Sequence, residues 1–313
     1  TTPISVHHIN SDEQLDVTVK LFYDEHNASV RISGFHTNIV SIQKDNNTIF
    51  ESNTISAPTK ELTDRSVLSV EGIYDFANSV DLDDIKDVIE RQLKYNKAIS
   101  EEGLNNNWGA NIGSLLLSQF GDNVKIKAKA WAAAGSDARM NGCEMPVIIN
   151  SGSGNQGITV SMPVLAYAKE YNIDDDRLYR AVTLSNLIAI HQKTTIGRLS
   201  AYCGAISAGC ASACGIAYLM NENLETISQT LVNSLAITSG IICDGAKASC
   251  AAKIATAVES GILGYEMCKN NKNFCNGDGI IGHNVEKTIQ NVGTLASKGM
   301  KETDKVIISI MTE

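Results

Sequence analysis

The N-terminal part of the chain alternates hydrophobic and polar residues, which is the pattern of strands that bury one face. β-branched residues are frequent there, and turn-forming polar residues interrupt the pattern at 24–27 and 44–47. This pattern predicts a small antiparallel β-meander. The predicted strands are 4–9, 15–23, 29–33, 38–43 and 48–51.

From residue 81 onward, hydrophobic residues recur every three or four positions, which indicates helices. Leu82, Ile85, Ile89 and Leu93 show this spacing, and a polar connector at 52–79 precedes them. The first predicted helix begins at residue 81, and the others are 112–120, 124–134, 163–171, 174–199, 204–220, 224–242, 246–269 and 283–300. The β-branched segment 304–311 is compatible with a strand or with a helix end.

These elements predict an α+β fold, with a mainly helical catalytic domain and a small N-terminal antiparallel β-meander unit. We expect a β-rich unit and connector at 1–80, and an Ala- and Gly-rich helical domain at 81–313 that carries the candidate site. A chain of 313 residues is long enough to bury a sizeable core in this way.

Composition narrows the possible partners. The net charge is −9 and the basic residues are dispersed, so we expect no nucleic-acid and no membrane partner. All eight cysteines lie beyond residue 140 and no targeting signal precedes them, which favours free or metal-binding thiols in a reducing, cytoplasmic setting. The first residue is Thr, so we expect a processed product or a fragment, and a homo-oligomer stays open.

The segment 150–157, NSGSGNQG, is rich in small and amide side chains and contains no charged residue. An apolar run enters it, and a helical pattern follows it. Glycines allow a ligand to approach the backbone, and the free N–H groups of a helix start favour an anion. The segment therefore predicts a small carboxylate or phosphate site, with a tight packing turn as the alternative. The candidate substrate-binding residues are Asn150, Ser151, Gly152, Ser153, Gly154, Asn155 and Gln156.

Three cysteines differ from the others because each lies at or near a predicted helix start. They are Cys203, Cys243 and Cys250. A helix N-terminus favours the thiolate form, which binds iron. Cys243 and Cys250 are too far apart along one continuous helix to share a cluster, so we expect a turn at Asp244–Gly245 between them. From spacing alone, the alternative that these are ordinary small core residues stays open.

Three segments together resemble the L-cysteine desulfidase family, which is related to the alpha chain of iron–sulfur L-serine dehydratases. They read SDARMNGCEMPVIINSGSGNQG, GRLSAYCG and GIICDGAKASCAAKI. The resemblance implies that Cys203, Cys243 and Cys250 bind a [4Fe-4S] cluster with one iron left open. It also implies that the loop 150–157 holds the carboxylate of a small amino-acid substrate. The implied reaction is β-elimination of L-cysteine to pyruvate, ammonia and hydrogen sulfide.

One family feature is missing from this sequence. The family carries an N-terminal Cys-Thr-Glu-Pro motif whose Cys is a proposed catalytic base, and no such motif occurs here. The catalytic base is therefore unknown, and we expect that a catalytic N-terminal segment is lacking. L-serine dehydratase activity and a non-catalytic small-molecule binding remnant remain as alternatives.

The sequence also predicts how the site is arranged. We expect the three sulfurs to lie together, facing a concave pocket at the loop, with Ser153 and Asn155 donating hydrogen bonds to the substrate carboxylate. Lys193 and Lys247 lie near the cysteine motifs, where a surface or structural role is favoured over the alternative of stabilising charge or transferring protons. Asp137 and Arg139 are a candidate ion pair that would shape the loop.

Overall fold

The computed structural model of the chain describes residues 2–9, 11, 13, 15–34, 37–52, 63–197 and 200–313. Contacts divide the chain into one unit of residues 1–64 with 311–313, and a larger unit of residues 65–310. The sequence placed this division at residue 80. The difference arises because residues 65–80 contain a helix whose apolar side chains belong to the helical core.

The N-terminal unit contains a four-stranded antiparallel sheet in the order β1-β2-β3-β4. The strands are β1 (Asp16–Tyr23), β2 (His26–Ser33), β3 (Ile39–Lys44) and β4 (Asn47–Glu51). Two-residue turns close the outer hairpins, and Asp45 and Asn46 both have positive φ, as a type I′ turn requires. The predicted meander is confirmed for its last four strands.

The strand predicted at 4–9 is wrong, because residues 2–9 have no regular secondary structure. Ile4, Val6 and Ile9 alternate with polar residues, yet their side chains are largely exposed. An alternating pattern becomes a strand only where a neighbouring strand and a buried face stabilise it.

Eleven helices form in the described part of the larger unit and its C-terminal end. They are α1 (Val70–Ser79), α2 (Leu82–Asn105), α3 (Ile112–Phe120), α4 (Val124–Met140), α5 (Gly154–Glu170), α6 (Asp175–Ile196), α7 (Gly204–Leu219), α8 (Leu224–Thr238), α9 (Cys250–Lys269), α10 (Val285–Thr294) and α11 (Lys301–Thr312). A π-helical turn, Leu295–Gly299, joins the last two. The α+β prediction with a mainly helical domain is confirmed. None of these helices is long and apolar enough to cross a membrane.

Several boundaries differ from the sequence predictions; α4, for example, ends six residues later than predicted. The connector predicted at 52–79 contains α1, which Ser69 caps by accepting a hydrogen bond from the Gly72 N–H; its residues 53–62 lie outside the described residues. The helix predicted at 163–171 begins nine residues earlier, because α5 is buried on every side and has no apolar period. Helix α8 ends four residues early and α9 begins four residues late. The ambiguous segment 304–311 is helical.

Helices α5 and α7 form the centre of the core. Nearly every residue of both is buried, and α7 packs against α5, α6, α8 and α9. A side chain on Gly209 or Gly261 would meet the backbone of the facing helix at 2.6–2.7 Å, so α7 and α9 approach closely there. Small residues thus allow the two helix starts that carry Cys203 and Cys250 to lie in one region of the core.

Candidate active site

The loop 150–157 is a tight turn that leads directly into α5. Asn150 and Ser153 pair through two backbone hydrogen bonds of 3.0 and 3.1 Å. Ser151 and Gly152 between them both have positive φ, at 49° and 81°. Ser153 is the N-cap of α5, and its hydroxyl accepts a hydrogen bond from the Gln156 N–H at 3.4 Å. The turn therefore fixes the direction of the first N–H groups of α5.

Buried and half-buried amide side chains hold this turn, and we call Gln92, Asn96, Asn150 and Asn186 the amide network. Asn150 donates to Asn186 Oδ1 at 2.8 Å, and Asn186 in turn donates to Gln92 Oε1 at 2.8 Å. Asn96 both accepts from the N–H and donates to the carbonyl of Ile148. The amide of Asn150 is therefore occupied in supporting the loop.

Other donors of the loop have no acceptor among the residues that the structure describes. They are the N–H groups of Gly154 and Asn155, which begin α5, and the side-chain amide of Asn155. Ser153 uses its oxygen as an acceptor, which leaves its hydroxyl hydrogen available. These groups are the ones that an anion at this loop would meet.

Helix α4 brings Arg139 to the same place. One terminal nitrogen of its guanidinium (Nη1) donates to Asn155 Oδ1 at 3.3 Å. A Cβ on Gly154 would lie 2.3 Å from Arg139 Nε, so the absence of a side chain at Gly154 makes room for the arginine. The predicted ion pair with Asp137 does not form. Asp137 instead accepts a hydrogen bond of 2.9 Å from the Gly113 N–H at the start of α3.

The cysteine side of the site is built on a short β-ribbon. Tyr202 and Ile242 form an antiparallel bridge, flanked by hydrogen bonds from Cys203 N–H to Ile241 and from Cys243 N–H to Ala201. Side chains alternate along a ribbon, so Cys203 and Cys243 lie on the face opposite Tyr202. The ribbon thus brings together two cysteines that are forty positions apart.

The third cysteine, Cys250, is the first residue of α9, and the loop 243–249 connects it to the ribbon. Both Cys243 and Cys250 raise the pKa of the Cys203 thiol electrostatically, so both lie within electrostatic range of it. The predicted turn at Asp244–Gly245 lies in this loop, where Gly245 has a φ of 93°. The Gly245 carbonyl lies 3.7 Å from the Cys250 sulfur.

Burial opposes the thiolate form that the sequence suggested for Cys203. Cys203 is the N-cap residue of α7, and the Ala205 N–H favours its anion, yet burial raises the pKa of the thiol to about 11. The helix start is therefore outweighed by desolvation, and the metal-free side chain is a thiol at neutral pH. A thiolate there needs a cation or a metal beside it.

Two lysines lie beside the thiols. Lys193 on α6 is 9% exposed, and burial lowers its pKa while Cys243 and Cys203 oppose that shift. In the described parts of the chain it has no carboxylate partner. Lys253 on α9 donates to the Ile242 carbonyl at 3.0 Å and pairs with Asp244, which also binds Lys247 at 3.2 Å. Lys253 thus ties the 243–249 loop to the ribbon.

The loop side and the cysteine side adjoin each other at two points. A Cβ on Gly204, next to Cys203, would lie 2.5 Å from the Gln156 amide, whose Oε1 is buried without a partner. Arg139, bound to Asn155, also interacts electrostatically with Cys250. Arg198 and Leu199 of the GRLSAYCG motif lie outside the described residues. Within those residues, no group of three or more His, Cys, Asp or Glu side chains is close enough to hold a metal ion.

Sequence reasoning missed the amide network, Gln156 as the link to α7, and Lys253. A signal existed for part of the network: Gln92 and Asn96 are four positions apart and interrupt the apolar face of the helix predicted from residue 81. Polar residues on a buried face need partners, and the loop supplies them.

Sequence comparisons place the chain among known proteins. The model of the serine dehydratase alpha chain family matches residues 12–309. A UPF0597 protein of Desulfitobacterium hafniense is 52% identical over 99% of this chain and 72% of its own length. Another from Fusobacterium nucleatum is 42% identical over 99% of this chain and 74% of its own length. No solved structure matches the chain. The chain belongs to the serine dehydratase alpha chain family.

Proposed function

We propose that this protein is an iron–sulfur-dependent lyase that converts L-cysteine and water to pyruvate, ammonia and hydrogen sulfide. Membership of the serine dehydratase alpha chain family supports a lyase of amino-acid catabolism. The family name also favours a second candidate substrate, L-serine, which would give pyruvate and ammonia. The two reactions differ only in the group that leaves Cβ.

The observation that carries the proposal is that the loop 150–157 and the cysteine motifs adjoin each other. Gln156 packs on Gly204 beside Cys203, and Arg139 bonds Asn155 while it interacts electrostatically with Cys250. A β-elimination needs the carboxylate of a small amino acid and its β-substituent to be held at the same time. We expect one small molecule to meet both the loop and the cysteines.

The donor set fits a [4Fe-4S] cluster held by Cys203, Cys243 and Cys250. Cluster ligands are cysteine thiolates, and each binds a different iron, so they need not converge on one ion. Lys193, Lys253 and Arg139 all interact electrostatically with at least one of the three sulfurs. These cations would stabilise an anionic cluster in a buried place, where the Cys203 side chain without a metal is a protonated thiol. When bound, an iron without a cysteine ligand supplies Lewis acidity toward the substrate.

The residues of the loop would bind the carboxylate end. The N–H groups of Gly154 and Asn155 point along the start of α5, where the helix dipole favours an anion. The Ser153 hydroxyl and the Asn155 amide add donors that carry no charge. The amide network keeps these donors fixed, so little reorganisation accompanies binding.

The elimination itself breaks the Cα–H and Cβ–S bonds. The Cα proton goes to a base, which is not assigned among these residues, and the C–H electron pair forms the Cα=Cβ bond. The sulfur leaves with the C–S pair as hydrosulfide, and the buried Lys193 ammonium stabilises that negative charge. The aminoacrylate product takes up a proton at Cβ, and water hydrolyses the resulting imine to pyruvate and ammonia.

The decisive experiment is purification without oxygen, followed by iron and sulfide analysis and by assay of pyruvate from L-cysteine and from L-serine. We expect about four iron and four sulfide per chain. Cys203→Ser should lose both the iron and the activity, whereas Cys275→Ser, which changes an exposed cysteine, should keep both. A protein that binds no iron after anaerobic reconstitution would overturn the proposal. Iron retained by Cys203→Ser would show that the ligand set is wrong.

A further inference from the structure

The guanidinium of Arg139 has no negative partner in the described residues, although it is half-buried. Its recorded hydrogen bonds go to Asn155 Oδ1 at 3.3 Å and to Met140 sulfur at 3.8 Å, and both acceptors are neutral. Burial lowers its pKa. A guanidinium has five N–H donors, so most of its donor capacity is unused.

The nearest acidic residue along the chain cannot supply the missing charge. Asp137 lies two positions earlier on α4, but its carboxylate turns to the start of α3 and binds the Gly113 N–H. Successive residues on a helix point in different directions, so the two side chains diverge. Arg139 is therefore directed at the loop by its position on the last turn of α4.

The loop leaves space for the Arg139 side chain at Gly154. Arg139 Nε and Cδ occupy the space that a Cβ on Gly154 would fill, at 2.3 and 2.9 Å. Arg139 thus lies at the N-terminal end of α5, beside the free N–H groups of Gly154 and Asn155. Two positive features, a guanidinium and a helix N-terminus, repel each other unless an anion lies between them.

A second buried cation supports an anion at this place. Lys193 is 9% exposed, lacks a carboxylate partner where the structure describes the chain, and lies beside Cys203 and Cys243. The two cations therefore neighbour different parts of the site. Lys193 lies on the cysteine side, which leaves Arg139 as the charge on the loop side.

We propose that Arg139 binds the carboxylate of the amino-acid substrate, with two guanidinium N–H groups donating to one or both carboxylate oxygens. This inference rests on the proposed function for the identity of the substrate. It assigns the charge to Arg139, and leaves the loop N–H groups and Ser153 as neutral donors around it. Arginine suits this role because its planar fork matches the geometry of a carboxylate.

The test is equilibrium binding to the metal-free protein by calorimetry, using L-serine and its carboxamide, L-serinamide. Arg139→Gln should weaken L-serine binding by about 10- to 100-fold, since a hydrogen bond to a charged group is lost. Binding of L-serinamide should change much less. Arg139→Lys keeps the stem and the charge, so it guards against misfolding. It should still reduce the preference for the carboxylate over the amide.

The matched control is Arg91→Gln, which removes one positive charge from an exposed position on α2. It should leave both affinities unchanged. Unchanged L-serine binding in both Arg139 variants would overturn the inference, as would a wild-type protein that binds L-serine no better than L-serinamide. If the Arg139 variants lost iron but still bound the carboxylate, the inference would also be overturned, because Arg139 would then act on the cysteine side, at Cys250.

The proposed function can fail separately. If anaerobic wild-type protein forms no pyruvate from either amino acid, but binds L-serine in an Arg139-dependent way, the lyase proposal fails and the carboxylate site stands. If the lyase is active and Arg139→Gln changes neither KM nor kcat, the lyase stands and the Arg139 assignment fails.

Discussion

The two sides of the candidate site are stabilised by different kinds of interaction. The loop side rests on the neutral amides of Gln92, Asn96 and Asn150, which are at most 4% exposed. Gln92 and Asn96 donate to backbone carbonyls, and Asn150 donates to the side chain of Asn186. The cysteine side rests on charges, with Lys253 and Lys247 both paired to Asp244. Under the proposed function, this difference would suit the two tasks of the site, because a substrate anion and a polyanionic cluster need different surroundings.

Neutral support leaves the loop donors available. Amides satisfy the buried backbone without introducing a carboxylate that would compete with a substrate for the N–H groups of α5. Charged support suits the other side, because burial raises the pKa of the Cys203 thiol, and Cys243 and Cys250 raise it further. Each of the following predictions tests one side of this contrast.

The largest effect is expected where the loop packs most closely. A Cβ on Gly157 would lie 1.9 Å from the Ile148 carbonyl oxygen, so Gly157→Ala must separate the start of α5 from the segment before the loop. We expect the free energy of unfolding to fall by about 3 kcal/mol, at the upper end of overpacking effects. Urea denaturation measures it. Gly72→Ala on α1 is the control, because its Cβ would meet only the Ser69 hydroxyl, at 3.1 Å. Equal stability of the two variants would show that the contact at Gly157 is not tight.

A buried carboxylate on the loop side should be unfavourable when ionised. Burial raises the pKa of Asp137 from 3.8 to about 6. Because its folded pKa is raised, its contribution to stability is present below pH 3.8 and is lost as the pH rises through 6. The Asp137→Asn variant should therefore gain stability relative to wild type across this range, by roughly 3 kcal/mol at pH 7. Denaturation of both proteins between pH 4 and 7 provides the measurement, and a difference independent of pH would refute the assignment.

The smallest expected effect is a difference in stability between variants of two lysines on the cysteine side. Lys253 bonds the Ile242 carbonyl as well as Asp244, whereas Lys247 is 42% exposed and bonds Asp244 alone. Lys253→Met should lower the free energy of unfolding by about 1–2 kcal/mol. Lys247→Met should lower it by less than about 0.5 kcal/mol, as an exposed ion pair does. Thermal unfolding of the metal-free proteins compares them. If the two variants are equally stable, the hydrogen bond of Lys253 that joins the 243–249 loop to the ribbon contributes nothing to the free energy of unfolding.

Much of the helical unit could be read from local pattern. Helix α3 has the predicted bounds, Ile112–Phe120, because Asn111 and Gly121 mark its ends with positive φ. The start of α5 was missed. Pro163 resembled a helix start, and the buried residues before it have no amphipathic period. Local pattern fails where a helix has no solvent face.

The sequence by itself determined the family, the α+β class and the candidate site residues, because motifs and turn residues are local properties of the chain. Only the tertiary structure decided how those residues are used. The ribbon pairs Cys203 with Cys243, burial makes the Cys203 thiol resist ionisation, and Asp137 turns away from Arg139 toward α3. Burial, charge and pairing depend on neighbours that are distant in sequence, so no local pattern could fix them.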